Sequence, residues 1–200
     1  MPGNTAESVT VRRPLATILA MPPKLGFMTV GILREPVGHA QVQGFVDRVP
    51  AVYEAADSSD GFHARSIRDV GTWLHSWGEV ELPACYPQPP AEAQIAMTLS
   101  LWKDLESVAA FTYHGEHGEA LKKRREWFVK YDLPVYVAWW VEDDQPIRWK
   151  DGNARLEHLH ANGATAFAFD FARPFDPDGQ SCRLDRESVK AKAVMNAKPV

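Results

Sequence analysis

Cysteine is scarce in this chain: Cys85 and Cys182 are the only two in 200 residues. Two thiols far apart in sequence make neither the disulfide framework of a small secreted domain nor a Cys-rich zinc module. A reducing compartment, the cytoplasm, is the expectation. Long apolar runs are also missing, and nothing approaches the roughly 20 residues that a membrane helix needs. The nearest candidate, "PLATILAMPP", is short, interrupted by Pro14, Pro22 and Pro23, and has no small-residue cleavage site. It reads against a signal peptide, and no membrane partner is expected.

Charge of one sign is lacking too. A formal net charge of −4 gives the molecule no global attraction to nucleic acid or to an anionic membrane. GxSxG, Walker, GxGxxG and HExxH motifs do not occur, which removes the common signatures of serine hydrolases, nucleotide sites, dinucleotide sites and zincins. What is present is an ordinary globular composition, 45% hydrophobic and 24% charged, in a chain long enough to bury one core without staples.

Residues 1–23 read as a loosely ordered arm, 24–172 as the folded domain and 173–200 as a tail with one frayed helix around 187–196. Within the domain, "GFMTVGILR" predicts a first strand. "GHAQVQGFVDRVPAVYEAAD" follows at helical spacing, broken at Pro50. "GFHARSIRDV" predicts a second strand, and a Trp-rich, Gly/Pro-punctuated connection over 71–93 carries Trp73, Trp77 and Tyr86. "AQIAMTLSLWKD" alternates as a third strand, and Asp104 then caps a helical stretch divided at Gly115. "LPVYVAWWVEDD" is apolar on both faces and reads as a central strand. A helix ending at Gly163 and "ATAFAFDF", a last strand or an extended edge, complete the domain. Strand, helix, strand, strand, helix, strand is the ferredoxin-like α+β order.

Chemistry concentrates in "YHGEHGEALKKRREWF", Tyr113–Phe128. At about 100° per residue, Glu119, Lys122, Lys123 and Glu126 share a solvated side, and Ala120, Leu121, Trp127 and Phe128 share the other. His117 and Arg124 fall in the middle of that apolar side. Facing inward, they must be hydrogen-bonded, paired or in contact with a ligand. The plain alternative is that His117 caps a backbone carbonyl while Arg124 pairs with a carboxylate or reaches the rim. A metal held by His114 and His117 with Glu116 or Glu119 is disfavoured by the break at Gly115. The basic run Lys122–Arg125 spreads around the helix, so no nucleic-acid partner is expected. His158 and His160 read as surface residues, and His63 suits pocket or solvent equally.

"LSLWKDLESVAAFTY", "HGEALKKRREWF", "VYVAWWV" and "ARLEHLHANG" followed by "AFAFDF" resemble the family known as domain of unknown function 3291, over roughly Gly26–Phe171. The resemblance implies a ferredoxin-like βαββαβ protomer with an extra C-terminal helix and tail. It also implies a homodimer closing a dimeric α+β barrel, with a pocket between sheet and helices. Relatives in that superfamily include cofactor-independent monooxygenases, haem-binding and haem-degrading enzymes, isomerases, cyclases and stress proteins.

The leading expectation is a small-molecule enzyme needing no metal or cofactor, acting on a hydrophobic or aromatic metabolite of secondary metabolism. His117 would serve as general base and Arg124 as oxyanion or enolate stabiliser. Trp102, Trp127 and Trp139 would form the pocket walls, with Thr29, His63, Thr98, Phe111, His114 and Leu121 completing the substrate contacts. Two alternatives stand beside it. One is a haem protein with His117 or His114 as axial ligand. The other is a non-catalytic binding or stress protein.

Overall fold

A computed structural model describes residues 22–68, 75–142 and 146–197. Most of the expected arm, and Trp73 in the connection, lie outside these residues. Four strands, β1 (Lys24–Ile32), β2 (Phe62–Arg65), β3 (Ile95–Trp102) and β4 (Tyr136–Val141), form one antiparallel sheet in the order β2-β3-β1-β4. The helices are α1 (Ala40–Val46), α2 (Val49–Asp57), α3 (Leu105–Tyr113), α4 (Gly115–Trp127), α5 (Trp149–Asn162) and α6 (Arg186–Asn196). The fold is α+β. Among the described residues no helix is long and apolar enough to cross a membrane.

Local chemistry sets the helix boundaries. Pro50 separates α1 from α2 and sits in the first turn of α2, where its missing N–H costs nothing. Asp104 caps α3 by accepting from Ser107 N at 2.8 Å. Gly115 has φ +54°, a left-handed conformation that lets the chain turn between α3 and α4. Gly163 ends α5 at φ +74°.

Because paired residues of an antiparallel sheet point the same way, the register sorts the side chains into two faces. Leu25, Phe27, Thr29 and Gly31 share one face with Trp102, Ser100, Thr98 and Ala96 of β3 and with Trp140, Ala138 and Tyr136 of β4. Leu105 and Val108 of α3 and Ala56 of α2 pack on that face with Phe169. A separate cluster of Leu33, Val42 and Trp127 seats the C-terminal end of α4 against α1.

The opposite face carries Met28, Val30, Leu99, Val137 and Trp139. It is covered by Trp149, Leu156 and Leu159 of α5 and by Trp77, Leu82 and Tyr86 of the connection. The described part of the connection is bound to α5: Ala84 N donates to Glu157 Oε1 at 2.7 Å, and Asn153 Nδ2 donates to Glu81 O at 2.8 Å. Tyr86 is buried and its hydroxyl donates to Pro134 O at 2.8 Å. Residues 75–90 thus cover core, and each face of the sheet packs against other parts of the chain.

Three sequence expectations change. The fourth strand is at the sheet edge, with β1 and β3 central; its apolar pattern reflects cover on both faces, not central position. "ATAFAFDF" forms no strand, although Phe169 exchanges two hydrogen bonds with Ala138 along the outer edge of β4. The region after 172 is docked through α6, whose Val189 packs on Ala109 and Ala110 of α3.

Candidate functional site

β1 is central and sandwiched between layers, yet after Lys24 only Thr29 and Gly31 escape burial along it. Both lie on the α3 face. Their register partners there, Thr98, Ala96 and Tyr136, are half-buried too. The helices therefore leave this strip of the sheet, here the groove, only partly covered.

The floor is polar at one place. Thr29 Oγ1 and Thr98 Oγ1 are hydrogen-bonded at 2.7 Å. Whichever hydroxyl donates, the pair keeps one O–H and spare lone pairs for a third group. Tyr136, opposite Thr29 on β4, has its hydroxyl oxygen accepting from Phe171 N at 3.2 Å. Burial raises its pKa far above the ordinary phenol value, so it stays neutral. Phe128 closes the far end of the groove, its ring resting on Gly31, where an added Cβ would come within 2.6 Å of it.

His117, in the first turn of α4, places its Nδ1 2.8 Å from the carbonyl oxygen of Thr112. A carbonyl can only accept, so Nδ1 carries the proton and Nε2 presents its lone pair. The ring centroid is 4.8 Å from that of Phe111, which stacks on Trp102 at 5.2 Å. Burial lowers the imidazole pKa below its ordinary 6.5, and the bond to Thr112 only partly opposes this. His117 is thus neutral with Nδ1 committed to a backbone carbonyl, the plain alternative that the sequence offered for it.

The profile of the family described as "Domain of unknown function (DUF3291)" matches residues 24–185, most of the chain. The chain belongs to the DUF3291 family. No curated protein matches it. Among solved structures, one titled "Crystal structure of PA3566 from Pseudomonas aeruginosa" aligns at a TM-score of 0.38 and 6% identity, over 62% of this chain and 98% of that one.

In this DUF3291 chain the residues singled out from sequence fall into separate groups. Thr29, Thr98, Phe111 and Trp102 belong to the α3 face of the sheet, and His117 joins them through its contact with Phe111. Leu121 is half-buried one helical turn after His117. Trp102 is sealed at 1% exposure beneath Phe111, its Nε1 donating to Ser100 Oγ at 2.9 Å, so it supports a wall without reaching the groove. Trp127 lies in the cluster against α1, under Arg48 at 5.4 Å. Trp139 is on the opposite face of the sheet. The three tryptophans do not line one pocket.

Arg124 corrects the face count most sharply. It is exposed, and its Nη1 donates to Leu121 O at 2.8 Å within its own helix. The apolar side of α4 is divided: Ala120 and Trp127 pack toward α1, His117 turns toward α3, and the position between them stays open. His114 is exposed at the N-cap of α4, and His63 is exposed on edge strand β2. Tyr136, Gly31 and Phe128 were missed because only the strand register and the end of α4 bring them to the groove.

Among the described residues no three His, Cys, Asp or Glu side chains converge as a metal site. Two shallow clefts among the described residues measure about 300 and 350 Å³, and neither has His114, His117, Thr29 or Thr98 in its lining.

Proposed function

We propose that this chain is a ferredoxin-like protein that binds a small, mostly apolar molecule in the groove over Thr29 and Thr98, with His117 acting on it as a neutral base. The observation that carries this reading is the opening of a central strand, on a helix-covered face, at Thr29 and Gly31 alone. A folded chain gains by burying such positions, and a concave apolar surface with a few placed polar groups is what small-molecule sites share. The element order and the sheet order β2-β3-β1-β4 support the ferredoxin-like assignment. A barrel closed sheet-to-sheet by a second copy has less support, because α5 and residues 75–90 occupy the face it would use.

The chemistry follows from the polar groups on the α3 side of the sheet. The threonine pair offers a hydrogen bond to a ligand oxygen, and Nε2 of His117 offers a lone pair to a proton. With Arg124 outside, reactions that need a cation at a developing oxyanion lose their stabiliser. Proton transfer within the ligand, as in an isomerisation, retains both of its groups.

A thermal-shift screen of small aromatic and alicyclic carbonyl compounds, with turnover measured on those that bind, tests the reading. Thr98→Phe fills the groove and should abolish binding. His117→Gln keeps a donor to Thr112 and should bind while losing roughly 10²–10⁴ in rate. Binding that survives Thr98→Phe overturns the site, and turnover that survives His117→Gln overturns the base. Binding without turnover in the wild type makes the protein a carrier.

A further inference from the structure

Helix α3 is nine residues long, too short to be stable by itself, so the groups that hold it decide whether it stays wound. Its start meets α6 and its end meets α4. At the start, Asp104 Oδ1 accepts from Ser107 N at 2.8 Å and from Ser107 Oγ at 2.6 Å, while Oδ2 lies 3.6 Å from Lys192 Nζ of α6. At the end, the carbonyl of Thr112 is one of the last-turn oxygens that a helix leaves without a partner, and Nδ1 of His117 donates to it at 2.8 Å. Between the two, Ala109 and Ala110 are buried in a cluster with Val189 and Ala193 of α6. The next residue, Phe111, is the one whose ring meets His117. The hold on the His117 ring therefore depends on a short helix that α6 supports at its cap and along its side.

Helix α6 is itself held in a way that opens at low cost. Val189 and Ala193 join the apolar cluster over α3, while Val194 and Met195 are 62% and 48% exposed. Lys192 bridges Asp60 and Asp104, and Asn196 Oδ1 accepts from Asp60 N at 2.9 Å. On lifting, the lysine and both carboxylates return to water, which offsets much of what the bridge contributes. Segments with few buried apolar contacts open below the free energy of global unfolding. We infer that α6 is a strap that controls the candidate site: docked, it keeps α3 wound and His117 held to Thr112; lifted, it lets the last turn of α3 unwind and releases the His117 ring. This role rests on His117 being the base of the site, but the hold on the ring is separate from the reaction and can be measured without it.

NMR of the His117 ring nitrogens in the full chain, with hydrogen exchange on the same samples, tests the strap. The wild-type ring should be a single Nδ1–H tautomer. The double variant Val189→Asp with Lys192→Met removes both the apolar contact and the ion bridge without touching α3 or α4. Amides 186–196 and 109–113 should then lose protection by roughly tenfold or more while the strands keep theirs, and the ring should become a mixture of tautomers. Lys190→Met, which removes only the exposed pair with Glu187, should change neither measurement. A ring that stays Nδ1–H while α6 loses protection, protection of α6 that survives the double variant, loss of protection throughout the chain, or a ring that responds to Lys190→Met would each overturn the inference. Turnover that survives His117→Gln would instead remove the proposed reaction and leave the strap standing.

Discussion

The ring of His117 lies between Phe111 and the carbonyl of Thr112, and these surroundings act on its proton affinity in opposite directions, with burial the larger effect. Its folded pKa is therefore below the ordinary 6.5, whereas the unfolded chain titrates at about that value. Below it the unfolded state binds a proton that the folded state refuses. Stability contributed by the neutral ring is present above 6.5 and lost as pH falls through the folded value. NMR titration should find the His117 ring signal moving at a pH below 6.5, and the urea midpoint of the wild type should fall more steeply on acidification than that of His117→Gln. Equal slopes, or titration at 6.5 or above, would show that the ring is not desolvated. The sequence pointed His117 inward correctly because one helical turn suffices to count a face. It misplaced Arg124 because counting assumes one continuous cover along α4, and the cover is divided between α1 and α3.

Helix α6 illustrates what periodicity misses at the scale of an element. Its apolar contact with α3 is small, Val189 and Ala193 beside Ala109 and Ala110, which is too little to stand out as an amphipathic stripe. Much of the docking is polar. Lys192, 9% exposed, reaches Asp60 Oδ2 at 2.5 Å and Asp104 Oδ2 at 3.6 Å, and Asp60 N donates to Asn196 Oδ1 at 2.9 Å. One lysine thus joins α6 to the turn before β2 and to the N-cap of α3. Lys192→Met should loosen α6 by about 1–2 kcal/mol, allowing for the partial solvent exposure of both carboxylates. Hydrogen exchange should show amides 186–196 losing protection while the sheet keeps its own; uniform loss over the whole chain would mean that α6 does not open separately. By contrast, the breaks at Pro50 and Gly115 and the cap at Asp104 were readable directly, because each depends on a single residue's backbone chemistry.

Across the whole molecule, the distribution of cover over the sheet decides which surfaces can do chemistry and which can meet a partner. Alternation in β3 showed two faces in the sequence, but not which segments would bury each one, since pairing of distant segments leaves no local mark. The aromatics of the Trp-rich connection read as a segment folded over something, a site or only the core. Its described part completes the core with α5, and the partly exposed Thr29 and Gly31 are on the other face. Leu156, 0% exposed, is the centre of the α5 cover. Leu156→Ala should cost about 2–5 kcal/mol by urea denaturation, the usual range for a buried leucine that leaves a cavity. Because that cover belongs to the same chain, the cost should be unchanged at a roughly tenfold higher protein concentration. A cost that shrinks as concentration rises would mean that a second copy, and not α5, closes this face in solution, and the sheet-to-sheet barrel would then become the better account of the molecule.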